Sequence, residues 1–413
     1  MNLEFFIAKR LISGKERKST ISAPIIKIAI AAIAIGVIMM LIALGTGVGL
    51  KEKIREKVAA FNGHIQISNY DNNTSEVSLV PVPLEQDFYP EFDHVEGIAH
   101  IQAVASKGGI IRTEDTFEGM LAKGVGKDYD WTVFQEYVVD GRIPDFKGKL
   151  NDEVLMSRRM ANRLQFSVGD SFYSFFLKEG DPSKVPNTRR FKIVGIYDSG
   201  FEEFDATYVF VDIRHIQRMN RWEQNQIGNF EVFLTDFDDL QQKTGEIYTN
   251  TNSDLDTQNI RSKYFRIFEW IGLFDFNIAL IIGIMIIVGG INMITALLVL
   301  ILERTQMIGV LKALGSENWS IRKVFLYNAA YLISIGLFWG NLIGIGFLWF
   351  QKTYRYFKFP NPEEYYIEYI PVHLEVSSVI LLNLGVMALC LLMLLVPSYI
   401  VTKISPVKAM KFE

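Results

Sequence analysis

Two glycine-rich runs and a scatter of acids, bases and histidines are the places where this 413-residue sequence could house chemistry. Lys123-Gly124-Val125-Gly126-Lys127-Asp128 comes nearest to a nucleotide-binding loop. A phosphate loop needs four residues between its glycines and a hydroxyl after its lysine, so that backbone N–H groups cradle phosphate and the hydroxyl meets Mg²⁺. Here one residue separates the glycines and Asp128 follows the lysine. Gly45-Thr46-Gly47-Val48-Gly49 has no lysine after it and sits in an apolar helical run, where small residues serve close helix packing. His64, His94, His100, His215 and His373 form no metal-ligand spacing, and Cys390 is the single cysteine, so no metal site and no intramolecular disulfide is expected. There is no H-E-x-x-H, no nucleophile elbow, and no carboxylate pair inside an apolar run. Asp275 and Glu303 stand only at the edges of such runs, so neither ATP hydrolysis nor proton-coupled transport by this chain alone is expected.

What remains is a segment that resembles a contact element. In residues 303–315, Met307, Val310, Leu311 and Leu314 recur at the i, i+3, i+4, i+7 spacing of one helical face, and Gly315 falls where a C-terminal cap belongs. Long apolar runs flank it on both sides. A short connector between membrane spans needs no apolar face. One that has it either lies in the bilayer interface or docks into a partner.

The elements that must position this segment follow from hydropathy. Hydrophobic residues make up 49% of the chain, and they concentrate in four runs long enough for the ~20 residues a bilayer requires. The spans are expected at 25–50, 271–302, 324–350 and 376–397. Residues 1–24 interleave Lys9, Arg10, Lys15, Arg17 and Lys18 with apolar positions and are expected to lie on the membrane surface. Such a basic stretch before so long an apolar run does not fit a cleaved signal peptide. Residues 303–323 and the tail 398–413 are short and basic, whereas 351–375 offsets its cations with Glu363, Glu364, Glu368 and Glu375. The positive-inside rule then places both termini in the cytoplasm and residues 51–270 outside, which is the periplasm in a Gram-negative inner membrane. Asn292, deep in the second span, should face another helix rather than lipid.

Residues 51–270 mix strand and helix signals between two charged amphipathic stalks at 51–60 and 261–270. Strands are expected at 64–68, 191–197, 206–211 and 230–235, with strand, helix, strand over 152–176. Helices are expected at 84–94, 213–222 and after 235. Between two strands lies a Gly-, Pro- and Asn-rich tip, 178–189, containing Gly180, Asp181, Pro182, Val185, Pro186 and Arg189. The fold class is an α-helical membrane protein with four transmembrane helices and a large mixed α/β periplasmic domain between helices 1 and 2.

Residues 291–298, then Glu303-Arg304, then Ile308-Gly309-Val310-Leu311-Lys312-Ala313-Leu314-Gly315, resemble the permease signature of the FtsX/MacB superfamily of ABC transporters. Phe6-Ile7-Ala8-Lys9-Arg10, Gly124-Val125, Gly141, Val168-Gly169-Asp170, residues 194–200 with Asp205-Ala206-Thr207, and the run 366–371 resemble landmarks of the LolC/LolE lipoprotein-releasing permeases. The likeness keeps its order along the whole chain.

The resemblance implies that 303–315 is a coupling helix. Its contact with a LolD-like ATPase subunit would be carried by Glu303, Arg304, Met307, Ile308, Gly309, Leu311, Lys312, Leu314 and Gly315. It implies a second, identical or related permease subunit, an acylated lipoprotein substrate drawn from membrane lipid, and a LolA-like periplasmic carrier; in a LolC-type subunit the 178–189 hairpin would hold that carrier, whereas a LolE-type subunit would use the same domain to receive the lipoprotein. ATP and Mg would sit on the ATPase subunit and no cofactor on this chain, which is no enzyme itself. Nucleic acid is not expected as a partner. Two positions depart from the family pattern: Met307, where an acidic residue is frequent, and Ser405, where aspartate is. A MacB- or FtsX-like device for efflux or wall-hydrolase activation and a non-transporting membrane receptor are the alternatives.

Overall fold

A computed structural model describes residues 4, 6–8, 10, 22–73, 75–114, 116–177, 185–360 and 367–404. The chain divides into two compact units. One comprises Met1–Glu52, Trp270–Phe357 and Ile370–Glu413; the other comprises Lys53–Glu269 and Lys358–Tyr369.

In the first unit the apolar runs form helices. They are α1 (Ser22–Asn62), α7 (Phe265–Glu303), α9 (Asn318–Tyr354) and α10 (Val376–Ser398), with two short helices, α8 (Thr305–Ala313) and α11 (Ile400–Lys403). Among the described residues, four helices are long and apolar enough to cross a membrane. At 1.5 Å per residue a span of ~30 Å takes about 20 residues. The 23 residues of α10 are close to that length, whereas α1 with 41 and α7 with 39 far exceed it.

Lipid offers no hydrophobic drive for helices to associate, so packing rests on close approach and internal polar pairs. Gly336, Gly340 and Gly344 give α9 a flat stripe against α1. A Cβ built on Gly340 would lie 2.7 Å from the Val37 Cβ and 2.9 Å from the Ala34 carbonyl oxygen. On α1, Gly45 approaches Leu348, and a Cβ on Gly49 would sit 2.9 Å from the Pro371 oxygen, so the 45–49 run is a packing run. Gly346 has nothing within 4 Å of such a Cβ and lies off the stripe. Asn341 and Asn383 exchange side-chain amide hydrogen bonds of 2.6 and 3.0 Å, tying α9 to α10.

The second unit is an α/β body. Its strands are β1 (Ile65–Asn69), β2 (Val82–Pro83), β3 (Ile98–Arg112), β4 (Phe117–Val125), β5 (Val138–Gly141), β6 (Glu153–Ser157), β7 (Ser171–Phe176), β8 (Asn187–Tyr197), β9 (Tyr208–Asp212), β10 (Gln226–Ile227), β11 (Asn229–Leu234) and β12 (Leu255–Asn259). The helices are α2 (Arg158–Leu164), α3 (Glu202–Asp205), α4 (Ile213–Asn220), α5 (Leu240–Thr249) and α6 (Ile260–Lys263). The main sheet runs β12-β1-β11-β3-β4-β9-β6-β8-β5, and β7 pairs with both β3 and β8. That double pairing closes β3, β4, β9, β6, β8 and β7 into a ring. Ile111, Met120, Val154, Phe176, Phe191 and Val209 belong to its core.

Residues 84–94 form turns and irregular backbone, not the helix expected from their acidic start. Pro83 precedes the stretch and Pro90 interrupts it, and residues preceding proline avoid helical backbone. Its rings dock inward instead: Phe88 and Tyr89 lie 5.1 and 5.2 Å from Phe230. The long β3–β4 hairpin is absent from the sequence reading. Ala103, Val104 and Ala105 of β3 are all buried, so no alternation marks the strand.

Replacing Gly340 by valine places a side chain into α1. Overpacking of a fitted contact costs about 1–3 kcal/mol, so the Gly340→Val protein should show a lower thermal midpoint in lipid nanodiscs. Gly346→Ala, with open space around it, should leave the midpoint in place.

Candidate functional site

Helix α7 bends at Arg304 and continues almost directly into α8. The Arg304 amide still donates to the Leu300 carbonyl at 3.2 Å, and the Ile308 amide to the Arg304 carbonyl at 3.0 Å. Gly315 ends the element with φ of 87°, a left-handed conformation that costs a Cβ-bearing residue about 1–2 kcal/mol. The Ser316 amide returns to the Leu311 carbonyl at 3.0 Å to close the cap.

The residues expected to form one contact surface are split by the fold. Ile308 and Gly309 are buried in the unit's core, and Met307 and Leu311 pack against it. Lys312 also turns inward: its Nζ donates to the carbonyls of Val401 at 2.7 Å, Thr402 at 3.2 Å and Ile404 at 2.8 Å. These carbonyls are left over at the end of α11, and a cation is the natural cap for them. Arg304 is half-buried. Glu303, Val310, Leu314 and Gly315 are exposed, and Gln306 and Ala313 join them at helical spacing. Sequence reasoning left Gln306 and Ala313 out because they fall off the apolar repeat, and that repeat itself divides: Met307 and Leu311 pack inward while Val310 and Leu314 are exposed. Trp319, 47% exposed and stacked with Arg322 at 5.0 Å, is another exposed ring next along the chain.

Asn292 is half-exposed, with no hydrogen-bond partner among the described residues. The polar contact expected for it is therefore not made within the described part of this chain. Of the hairpin residues, Gly180, Asp181 and Pro182 lie outside the described residues. Val185 is 79% exposed, Pro186 and Arg189 are half-buried, and the β7–β8 ladder reaches Phe176 opposite Asn187.

The most elaborate polar constellation lies where α1 ends in the α/β body. Lys123 and Glu231 are each 2% exposed and paired at 2.5 Å. The Lys123 Nζ also donates to the Phe61 carbonyl, and Gln102 donates to the second Glu231 oxygen at 2.9 Å. The Tyr129 hydroxyl reaches the Ala60 carbonyl at 3.3 Å, and the Tyr264 hydroxyl the Asn62 side chain at 2.9 Å. Burial pushes the Lys123 ammonium below its ordinary range, and Glu231 opposes that shift. Around them Phe61 is ringed by Phe134 at 5.0 Å, Phe204 at 4.6 Å and Tyr208 at 5.7 Å. Each of these contacts fixes the last turn of α1 to the sheet.

A second buried acid locks the neighbouring loop. Asp205 accepts from the Ser199 hydroxyl at 2.6 Å and from the Gly200 amide at 3.0 Å, while Lys57 donates to the Ser199 carbonyl. Burial raises its pKa from 3.8 to about 6 against these hydrogen bonds. Among the described residues no group of three His, Cys, Asp or Glu side chains could hold a metal ion.

This architecture can be set beside known proteins. The family model for the MacB-like periplasmic core domain matches residues 28–258, more than half of the chain, and the model for the FtsX-like permease C-terminal matches residues 279–406. The chain belongs to the FtsX/MacB superfamily of ABC transporter permeases. The lipoprotein-releasing system transmembrane protein LolC of Xylella fastidiosa is 20% identical, covering 100% of this chain and 99% of that protein. LolC of Neisseria meningitidis serogroup B is 21% identical over 100% of both chains. LolE of Haemophilus influenzae is 21% identical over 99% of each. Within the superfamily the chain is of the LolC/LolE type, a multi-pass inner-membrane permease subunit.

Two outcomes test the junction. Removing one member of a buried pair strands the other charge and costs about 3–5 kcal/mol. Lys123→Met should therefore lower the thermal midpoint sharply, and Lys123→Met with Glu231→Leu should recover most of the loss, a coupling that a double-mutant cycle reads directly. Asp205 works in the opposite sense. Its folded-state pKa lies above the unfolded value, so the folded state binds the extra proton between pH 4 and 6. Wild type should lose up to about 3 kcal/mol relative to Asp205→Asn as pH rises through that window, with a constant difference above it. Unfolding midpoints of both proteins measured from pH 4 to pH 7.5 check the sign.

Proposed function

We propose that this chain is the permease subunit of an ABC transporter that extracts lipoproteins from the inner membrane and passes them to a periplasmic carrier. A separate LolD-like ATPase binds the ATP and Mg. A second permease subunit, identical or related, completes the membrane part, and a LolA-like protein takes the acylated product. The likeness to the lipoprotein-releasing system proteins LolC and LolE supports this reading. The observation that carries it physically is α8. It continues a spanning helix, its inner face and Lys312 anchor it to the unit, and its other face is exposed.

In this reading the short basic segments lie in the cytoplasm, together with both termini, and the α/β body lies in the periplasm. ATP-driven closure of the ATPases moves α8 as a rigid piece, because Ile308, Gly309 and Lys312 hold it to α11 and the core. Helices α1 and α7 both run from the membrane unit into the α/β body without a proline after Pro24. They are the connection through which movement reaches the carrier side. Asn292 meets its polar partner on the second permease subunit, where a buried amide gains a hydrogen bond that lipid cannot give. The tip at 178–189 engages the carrier.

The exposed face gives the decisive test. Val310→Asp and Leu314→Asp change residues that are 45% and 78% exposed, so the permease itself should fold normally. Loss of a central apolar anchor costs an interface 2 kcal/mol or more, so release of acylated lipoprotein in proteoliposomes with ATPase and carrier should fall by at least about tenfold. Release at the wild-type rate from both variants would exclude α8 as the ATPase contact. Gly309→Asp is a poorer probe, because it buries a charge in the membrane unit's core.

A further inference from the structure

The β3–β4–β7 end of the ring presents apolar residues on both faces. Gly109, Ile111, Met120 and Phe176 point into the core. Their alternates along the same strands, Gly108, Ile110, Gly119, Leu121, Phe175 and Leu177, line a cavity of about 680 Å³ on the outer face. The register sets glycine against a large residue twice, Gly119 opposite Ile110 and Gly108 opposite Leu121, which makes a trough in the sheet. A Cβ built on Gly119 meets nothing within 4 Å, so the trough is open space and not a packed contact. Phe204, Tyr208 and Tyr264 form its far wall.

Size and charge select the occupant. A methylene occupies about as much volume as a water molecule in the liquid, roughly 30 Å³, so a saturated chain of about 16 carbons takes roughly 500 Å³ and fits the cavity. Among the described residues, no lysine or arginine lines it. The carboxylates present are Glu76, which pairs with Lys263 at 3.3 Å, and Glu203, which is exposed. An anionic head, as on a free fatty acid or an acidic phospholipid, therefore finds no partner here and meets like charge. A chain attached through a neutral ester or amide meets neither penalty. The lining is also apolar where it meets solvent: Leu177 is 59% and Ile110 38% exposed.

We propose that this trough holds one acyl chain of a lipid-modified polypeptide on the outer face of the ring. The inference rests on the lipoprotein-release reading and adds a binding site within the α/β body. The far wall belongs to the stalk roots. Phe204 stacks on Phe61 of α1 at 4.6 Å, and Tyr264, 5.6 Å from Phe204, is the residue from which α7 departs. The cavity wall is thus shared with the residues at which α1 ends and α7 begins.

The test uses the full chain in lipid nanodiscs and a neutral, C-terminally amidated peptide. This peptide is N-palmitoylated with a photoreactive diazirine at the chain end, and diazirine-labelled palmitic acid is the anionic comparison. Crosslinks of the neutral probe are expected on the segments holding Met120 and Phe175, with palmitic acid labelling them several-fold less. Gly119→Trp fills the trough and should cut labelling by about tenfold at an unchanged unfolding midpoint. Leu177→Gln, on the exposed rim, should reduce labelling without affecting the fold. Equal labelling in wild type and both variants, labelling confined to the spanning helices, or crosslinking of a Gly119→Cys variant to a paired permease chain would each overturn the acyl-chain site. If wild type releases lipoprotein normally yet shows no cavity labelling, the site is lost and the transport reading stands. Absence of release in the reconstituted wild type removes the reading on which the site rests.

Discussion

The end of α1 is the constraint on which the α/β body depends. A helix leaves its last four carbonyls without partners, and in this protein those of Ala59, Ala60 and Phe61 end in the interior, where water cannot serve them. The Gly63 amide takes the first at 2.7 Å, the Tyr129 hydroxyl the second, and the Lys123 ammonium the third. A buried ammonium needs a counter-charge, and Glu231 supplies it from a strand two places across the sheet, with β3 lying between. Gln102 of β3 then satisfies the remaining carboxylate oxygen. One helix end thus fixes the register of three strands. Such a pair is a poor source of net stability compared with apolar residues of the same volume. Its worth here is directional, because the carbonyl, the ammonium and the carboxylate align in one way only.

The same device recurs in the membrane unit. Lys312 serves the carbonyls at the end of α11, and Arg322 donates to the Leu395 carbonyl at 2.9 Å and to the Ser398 hydroxyl at 3.0 Å near the end of α10. Each cation spends its charge on helix ends inside the same unit. Two of the basic residues that suggest an inner-face orientation are therefore also structural braces. Solvent exposure sorts the signature positions, and that sorting leaves Glu303, Val310 and Leu314 exposed, with Gln306 beside them at helical spacing.

Much of this fold was legible because its signals are local. Apolar runs, the basic connector, the αL cap at Gly315 and the strand–helix–strand run over 152–176 depend on residues within a turn or two of each other. The less visible parts depend on distant partners. Lys123 drew notice only as part of a failed phosphate loop, because its partner Glu231 lies 108 residues away and the glycines beside it suggest a turn. The β3–β4 hairpin escaped because residues 101–105 of β3 are buried on both faces and show no alternation. The Asn341–Asn383 pair escaped because each amide by itself is an unremarkable polar residue in an apolar run, and only the helix packing brings them to 2.6 Å. In the candidate site, the helix could be found from periodicity, but its inner and outer faces could not, since both carry apolar residues.

The two stalk roots are built differently, and that difference matters for any movement they carry. Helix α1 runs unbroken into its clamp, so displacement along it is delivered to the sheet through Lys123, Glu231 and the rings around Phe61. The return path is interrupted: α6 ends at Lys263, Tyr264 takes a non-helical ψ of 43°, and α7 begins at Phe265. A backbone break absorbs rotation that a continuous helix would transmit. Yet the Tyr264 hydroxyl stays bonded to Asn62 at the end of α1, and Ile260 donates to the His64 carbonyl at 3.0 Å. The break at Tyr264 is therefore tethered to the end of α1, so the backbone leaves regular helix there without losing its hold on the sheet.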